Sequence, residues 1–361
     1  MVCRSTAQVD PPHSELMKPS IEPDSSAANT NRLPPLFDAF GRVHESLRIS
    51  VTDACNIRCR YCMPETVLGF LPQHRLLPYN SIARIVSILA RSGIRKVRLT
   101  GGEPLMRPNL EQLVEQLAAI PGLQQIAMTT NAMLLADKVE SLQGAGLTHV
   151  NISLDTLRES AFKQISRRDG LDQVLDGIAA AVSSKLIVRL NALVLRDINL
   201  QDCIPLVEFA RNRNLFIRFI EFMPLDADRQ WSMEQVVNGS ELRTHLERHF
   251  GPLASIPRTD PAQPSSDFGF MDGRGGVGFI DPVSKPFCQS CNRIRLTADG
   301  KLRNCLFGRE EWDLKVACES NATDEHIHSI VADCIKNKYA SHGISSNDFQ
   351  QPERAMYQIG G

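Results

Sequence analysis

Leu47-Arg48-Ile49-Ser50-Val51-Thr52-Asp53-Ala54-Cys55-Asn56-Ile57-Arg58-Cys59-Arg60-Tyr61-Cys62 decides how the rest of the chain is read. Leu47–Val51 reads as a strand, and Cys55, Cys59 and Cys62 lie within a span of eight residues directly after it. The C-terminal end of a strand is where a parallel sheet presents its chemistry. Structural zinc usually takes four protein ligands, and iron–sulfur cubanes usually take four cysteines. Three thiols with no local fourth would leave one iron of a [4Fe–4S] cluster open to an outside ligand. On spacing alone, a zinc site completed by His44 or His74, or three unrelated thiols, is the alternative. Tyr61, just before the third thiol, fits a ring packed on a planar ligand and equally a core tyrosine.

Outward from this stretch the pattern repeats. Val97–Leu99, Gln125–Met128, Val150–Leu154, Leu186–Leu195 and Phe216–Phe222 read as further strands. Between them lie helical spacings such as Ile82, Ile85, Val86 and Leu89, then Leu110, Leu113, Val114 and Leu117, then Leu171, Val174, Leu175 and Ile178. Strand and helix alternating about every 30 residues predicts right-handed crossovers and a parallel sheet. The pattern alone does not separate a partial barrel from an open doubly wound sheet. A helix is expected over Ser240–His249, after which the rhythm stops. Residues 251–276 contain Pro252, Pro257, Pro261 and Pro264 and read as a loop or linker. A short strand at Val277–Ile280 and a helix near Glu325–Tyr339 follow. Residues 1–38, rich in Pro, Ser and Asn, are expected to be a disordered tail, with the barrel over 39–250 and a C-terminal region over 251–361.

Composition narrows the function. The 361 residues carry 40 Lys and Arg against 41 Asp and Glu, so no global charge argues for a nucleic-acid or membrane partner. No apolar run approaches a membrane span, and no signal-peptide core is evident. Asp10, Glu15, Glu22 and Asp24 sit where a mitochondrial presequence avoids acids, so a soluble, cytoplasmic protein is expected. Ten cysteines in such a chain point to metal or thiol chemistry rather than disulfides.

Three further features carry chemistry. Thr100-Gly101-Gly102-Glu103-Pro104 follows the second strand; its glycines are expected to bring amides close to a ligand, and Glu103 offers an acceptor for an ammonium group. Arg48, Arg98, Arg189 and Arg218 lie in four different strands, with Lys96 beside Arg98, where buried parallel strands should be nearly all apolar. Such cations need anions, either neighbouring carboxylates or a polyphosphate ligand. No P-loop motif is present. Cys288, Cys291 and Cys305 form a second trio, for which zinc with Cys318 or His326 is an even alternative on spacing alone. Arg293 and Arg295 follow at i and i+2, on one face of an extended segment.

Cys-x3-Cys-x-aromatic-Cys resembles the signature of the radical S-adenosylmethionine superfamily, and the Gly-Gly-Glu-Pro turn resembles its site for the methionine amino group. The resemblance implies that S-adenosyl-L-methionine chelates the open iron and is cleaved to a 5′-deoxyadenosyl radical. Tyr61, Gly102, Glu103, Ser153 and Met223 match its cofactor-contacting positions. From about Gly41 to Gly360-Gly361 the chain further resembles the GTP 3′,8-cyclases of molybdenum-cofactor biosynthesis, through Leu47–Asp53, Cys62-Met63-Pro64, Arg98–Arg107, Phe287–Arg293, Thr297-Ala298-Asp299-Gly300 and Cys305-Leu306-Phe307. That family implies an α/β fold, an incomplete (βα)6 TIM-like barrel with a C-terminal Fe–S segment. It implies two [4Fe–4S] clusters, on Cys55, Cys59 and Cys62 and on Cys288, Cys291 and Cys305, which overturns the even odds for zinc. It places GTP among Arg48, Arg98, Thr129, Arg189, Arg293 and Arg295, and brings a tail ending in Gly360 and Gly361 into the active site. The radical would take the 3′ hydrogen of GTP, and C3′ would attack C8. A reducing electron donor, metabolite transfer to cyclic pyranopterin monophosphate synthase and an open question of a homodimer complete what it implies. A peptide maturase with an auxiliary cluster and a non-catalytic metal or redox sensor are the rival functions. Ala54, Ala132 and Arg189 depart from the family's usual Arg, Gly and Lys.

Overall fold

The computed structural model describes residues 32–66, 69–346 and 348–360. Residues Leu33–Gly361 form one compact unit. Its strands are β1 (Ser46–Ser50), β2 (Lys96–Thr100), β3 (Gln125–Thr130), β4 (His149–Ser153), β5 (Ile187–Val194) and β6 (Phe216–Glu221). Then come β7 (Leu253–Ile256), β8 (Ser266–Phe270), β9 (Gly276–Ile280), β10 (Arg293–Leu296), β11 (Lys301–Arg303) and β12 (Trp312–Asp313). All belong to one sheet in the order β12-β11-β10-β1-β2-β3-β4-β5-β6-β9-β8-β7. Every neighbouring pair from β10 to β9 is parallel, and the outer pairs at both ends are antiparallel. The six βα strands therefore form an incomplete barrel, widened at each edge by C-terminal strands.

The helices between strands bury the expected faces. Tyr79–Arg91 buries Ile82, Ile85, Val86, Ile88 and Leu89, and Leu171–Ser183 buries Leu171, Val174, Ile178 and Ala181. These side chains meet the outward face of the sheet, where Leu47, Ile49, Val97, Leu99, Val150 and Ile152 are all essentially inaccessible to solvent. Apolar burial is worth about 25 cal/mol per Å², so this face supplies most of the drive to fold. The inward face differs. Arg48, Arg98, Asn151 and Asn191 occupy it, so the strands alternate instead of running uniformly apolar, as they would around a packed centre.

Residues 251–276 are not a linker. They hold β7 and β8, and the four prolines expected to break structure all lie outside those strands. Proline is tolerated at strand ends and in loops because no ladder N–H is needed there. The tail expected over 1–38 lies outside the described residues up to residue 31. Beyond that point the chain is packed: Leu36 is 1% exposed, Phe37 bridges Val43, and the buried Asp38 carboxylate accepts from the amides of Phe40 and Arg42. The Pro34-Pro35 pair hid this apolar anchor in a composition-based reading. No helix among the described residues is long and apolar enough to cross a membrane.

Candidate active site

The inward face lines a cavity of about 560 Å³. Cys55, Cys59 and Cys62 enter it from the loop after β1, and Cys288, Cys291 and Cys305 enter from the loops around β10 and β11. The nine described cysteines are all free. His44, His74, Cys318 and His326, considered as fourth ligands for zinc, are not among the lining residues. Burial pushes the Cys55 thiol up to about 11 and raises Cys59 and Cys62 further, with Asp155 and the neighbouring thiols adding to Cys59. As free groups these thiols stay protonated, and only a bound cation would hold all three as thiolates. Backbone amides are also aimed at sulfurs: those of Asn56 and Ile57 at Cys55, Tyr357 at Cys62, His342 at Cys288 and Arg293 at Cys291. Amide-to-sulfur bonds of this kind accompany thiolate-ligated iron–sulfur clusters, so the chemistry of both donor sets suits such a group, while among the described residues no three such side chains already stand at metal-binding spacing.

The Gly-Gly-Glu-Pro turn works differently from the expectation. The amides of Gly102 and Glu103 donate to the carbonyls of Thr52 and Ala54, at 2.8 and 2.7 Å, and so are not free for a ligand. A Cβ on Gly101 would stand 2.5 Å from the Thr52 carbonyl, and one on Gly102 would stand 2.4 Å from that of Ala54. The glycines let the two strand-end loops touch, which sets the cysteine loop. Glu103 is 1% exposed. Its carboxylate accepts from Thr130 Oγ1 and the Asn131 amide at 2.7 Å each and from the Leu105 amide at 3.1 Å. Burial still pushes it up to about 7. Tyr61 donates its hydroxyl to Asp155 at 2.7 Å, an orienting partner that sequence reasoning missed. Ser153 and Met223 line the cavity. Ala132 keeps the turn after β3 with φ +64, at a cost of about 1 kcal/mol for a non-glycine residue.

The basic face is in register. Arg295 on β10, Arg48 on β1 and Arg98 on β2 are direct neighbours across the sheet. Thr129, Asn151 and Arg189 form a second row across β3, β4 and β5. Burial pushes Arg295 down to about 9, with Arg293 adding to it, and pushes Arg98 down to about 10, with Arg218 and Arg189 adding. Arg48 is likewise driven well down by burial and by Arg295, Arg293 and Arg98. Arginine stays protonated in proteins, so these forces are stored repulsion that an anion would relieve. Arg98 Nη1 is buried without a hydrogen-bond partner among the described residues. Arg218 is different, paired with Asp267 at 2.8 Å, and Lys96 is paired with Asp260. Both aspartates come from the stretch containing β7 and β8, so for these two cations the carboxylate alternative holds.

The tail closes one side. Arg354 pairs with Asp299 at 2.9 Å and with Glu311 at 2.8 Å, and Gln351 Nε2 donates to the Asp226 carbonyl at 2.7 Å. Tyr357 then lines the cavity, and the Gly360 carbonyl accepts from Arg295 Nη1. Gly361 lies outside the described residues. Lys338, 5% exposed, was also missed; it sits against Cys291, and no local pattern in its helix end marks it.

Residues 49–210 match the Radical SAM superfamily and residues 215–344 match Molybdenum Cofactor Synthesis C. The GTP 3′,8-cyclase of Rhodopirellula baltica is 46% identical over 338 residues, covering 92% of this chain and 94% of that protein. That of Rhodococcus opacus is 41% identical over 350 residues, covering 96% and 99%. Among solved structures, Streptococcus suis SuiB bound to precursor peptide SuiA shares the fold with a TM-score of 0.60 at 13% identity, over 85% of this chain and 68% of that one. Native anSMEcpe with bound AdoMet does so with a TM-score of 0.55 at 14% identity, over 86% and 93%.

Proposed function

Since the chain belongs to the GTP 3′,8-cyclase family of radical S-adenosylmethionine enzymes, we propose that it converts GTP to (8S)-3′,8-cyclo-7,8-dihydroguanosine 5′-triphosphate, the first step of molybdenum-cofactor biosynthesis. One observation carries this reading: two cysteine trios and an unneutralised arginine row face the same cavity. Cys55, Cys59 and Cys62 would hold one [4Fe–4S] cluster with S-adenosyl-L-methionine beside it, among Tyr61, Gly102, Glu103, Ser153 and Met223. Together these supply a one-electron reductant and a hydrogen-abstracting radical when bound. Glu103 would accept the ammonium of the cofactor, its Oε2 having one protein donor among the described residues against two on Oε1. Arg48, Arg98, Arg189, Arg293 and Arg295, with Thr129, hold and orient GTP. Cys288, Cys291 and Cys305 would hold a second cluster at the guanine end. A reducing electron donor, a cytoplasmic setting that keeps thiols reduced, and hand-over of product to cyclic pyranopterin monophosphate synthase belong to the same reading.

The test is anaerobic incubation of reconstituted protein with S-adenosyl-L-methionine, dithionite and GTP, followed by mass spectrometry. Cyclised nucleotide and 5′-deoxyadenosine are expected. Release of 5′-deoxyadenosine with GTP unconsumed would overturn the substrate assignment.

Two expected outcomes follow for the site. Reconstituted protein should contain about eight irons and about eight sulfides, as two four-iron cubanes require. Zinc at the second trio beside about four irons would contradict the second cluster. Truncating Arg293 or Arg295 to alanine should cost about 1.5–3 kcal/mol in GTP affinity, the value of a charge-assisted hydrogen bond. Added salt should weaken GTP binding, while affinity for S-adenosyl-L-methionine stays unchanged. Calorimetry showing parent-like GTP binding in both variants would remove these residues from the anion site.

A further inference from the structure

Lys338 follows the helix Asp324–Lys336, and its side chain turns inward until it is 5% exposed. Its Nζ donates to the Arg293 carbonyl at 2.7 Å and lies 3.5 Å from Cys291 Sγ. No ion pair joins it to a carboxylate among the described residues, and the nearby charges of Arg293 and Arg42 carry the same sign. An ammonium buried without opposing charge costs several kcal/mol. As cluster-ligating thiolates, the sulfurs of Cys291 and Cys305 would oppose its charge.

The segment carrying Lys338 is itself pinned. Arg42 donates to the carbonyls of Tyr339 at 2.7 Å and Ala340 at 3.2 Å, and to that of Cys288 at 2.7 Å. Asp38 holds the Arg42 guanidinium from the other side. Arg42 thus fixes the backbone of the first cysteine of the trio, and Lys338 reaches the sulfur of the second.

We propose that Lys338 is a positioning residue of the second cysteine trio, orienting Cys291 by a hydrogen bond to its sulfur and biasing the cluster there toward its reduced form. The inference rests on the second-cluster reading above. The physical ground is charge: reduction adds one negative charge to the cluster, and a fixed cation in contact with a ligand sulfur stabilises the more negative state. Hydrogen bonds to cluster sulfurs and local burial are the levers that set such potentials.

The test uses full-length protein with Cys55, Cys59 and Cys62 all replaced by alanine, so that only the second trio binds iron. Reconstituted samples with Lys338, Lys338→Met and Lys338→Arg are titrated with dithionite and followed by electron paramagnetic resonance. In Lys338→Met the ratio of oxidised to reduced cluster at fixed potential should rise at least tenfold, a fall in midpoint of 59 mV for one electron. Lys338→Arg, which keeps the charge, should recover most of that shift. Loss of the cluster in the methionine variant with retention in the arginine variant would also support the inference. About four irons per chain with an unmoved midpoint in Lys338→Met would overturn it, and so would cluster loss in both variants, which marks a packing role alone. A Lys338 background that binds no iron would instead overturn the second-cluster reading, and this inference with it.

Discussion

Cys59→Ala is expected to release no 5′-deoxyadenosine, whereas Cys291→Ala should still release it and yet make no cyclised nucleotide. The two trios share a cavity but not a neighbourhood. Cys59 lies in the loop after β1, which is held by the Gly102 and Glu103 amides and stands beside Glu103, Tyr61 and Asp155. Glu103 and Tyr61, two of the residues proposed for the cofactor, are there. Cys291 is bracketed instead by Arg293 and Lys338, and those two cations bring its thiol down to about 6 although burial pulls the other way. The cationic face continues on that side through Arg295 to Arg48 across β1. Removing one of three thiols leaves a cubane with two protein ligands, so each variant should lose the function of its own trio. Separating 5′-deoxyadenosine from cyclised nucleotide by chromatography gives both readings from one reaction. Equal loss of cofactor cleavage in both variants, with circular dichroism matching the parent, would contradict this division.

How much of this was legible in the sequence depends on how local each signal is. β1 to β6 and β9 were readable because strand burial writes a short apolar run within a few residues, and the observed limits differ from the expected ones by at most one or two residues. β7 and β8 were not, because their partner lies across a proline-bearing loop and the prolines outweighed the strand signal. The cysteine spacing marked the two trios, but that they line one cavity is a product of the fold and not of the spacing. The glycine pair was assigned a plausible task, but its real one is contact between two loops, and loop contact leaves no mark on either loop alone. Arg218 and Lys96 could not be told from Arg48 and Arg98 by position, since their aspartate partners sit 49 and 164 residues away in the chain. Lys338 contacts a thiol 47 residues earlier and lies at the end of an ordinary amphipathic helix. Only the fold brings such pairs together.

Gly360→Ala is expected to lower the rate of cyclisation about 100-fold, the usual consequence of small misalignments between reacting atoms, while iron content and cofactor cleavage persist. Gly360 has φ +84 and ψ 106, outside the basins open to residues with a Cβ. Holding alanine there would cost about 1–3 kcal/mol. Space is lacking as well, because the added Cβ would stand 2.4 Å from Thr100 Oγ1 and 3.1 Å from the Ser50 Cβ. Ser50 and Thr100 are register neighbours at the C-terminal ends of β1 and β2, so the clash falls on the rim of the cavity itself. The chain would relieve it by lifting the tail, because Thr100 is buried and its hydroxyl is engaged by the Ile49 carbonyl. Upstream anchors would keep the rest in place: Arg354 on Asp299, and the Met356 amide on the Leu225 carbonyl at 3.2 Å. What is lost is the last contact, the Gly360 carbonyl on Arg295. That guanidinium would then be free to swing with the bound anion, and GTP would be held but aimed differently. The signature is therefore uncoupling, with 5′-deoxyadenosine still released and little cyclised nucleotide beside it. Removing Gly360 and Gly361 together should produce the same uncoupling by taking away the carbonyl outright. A Gly360→Ala protein that cyclises GTP at the parent rate would show that Arg295 is positioned by its strand alone, and that the tail only rests on the site.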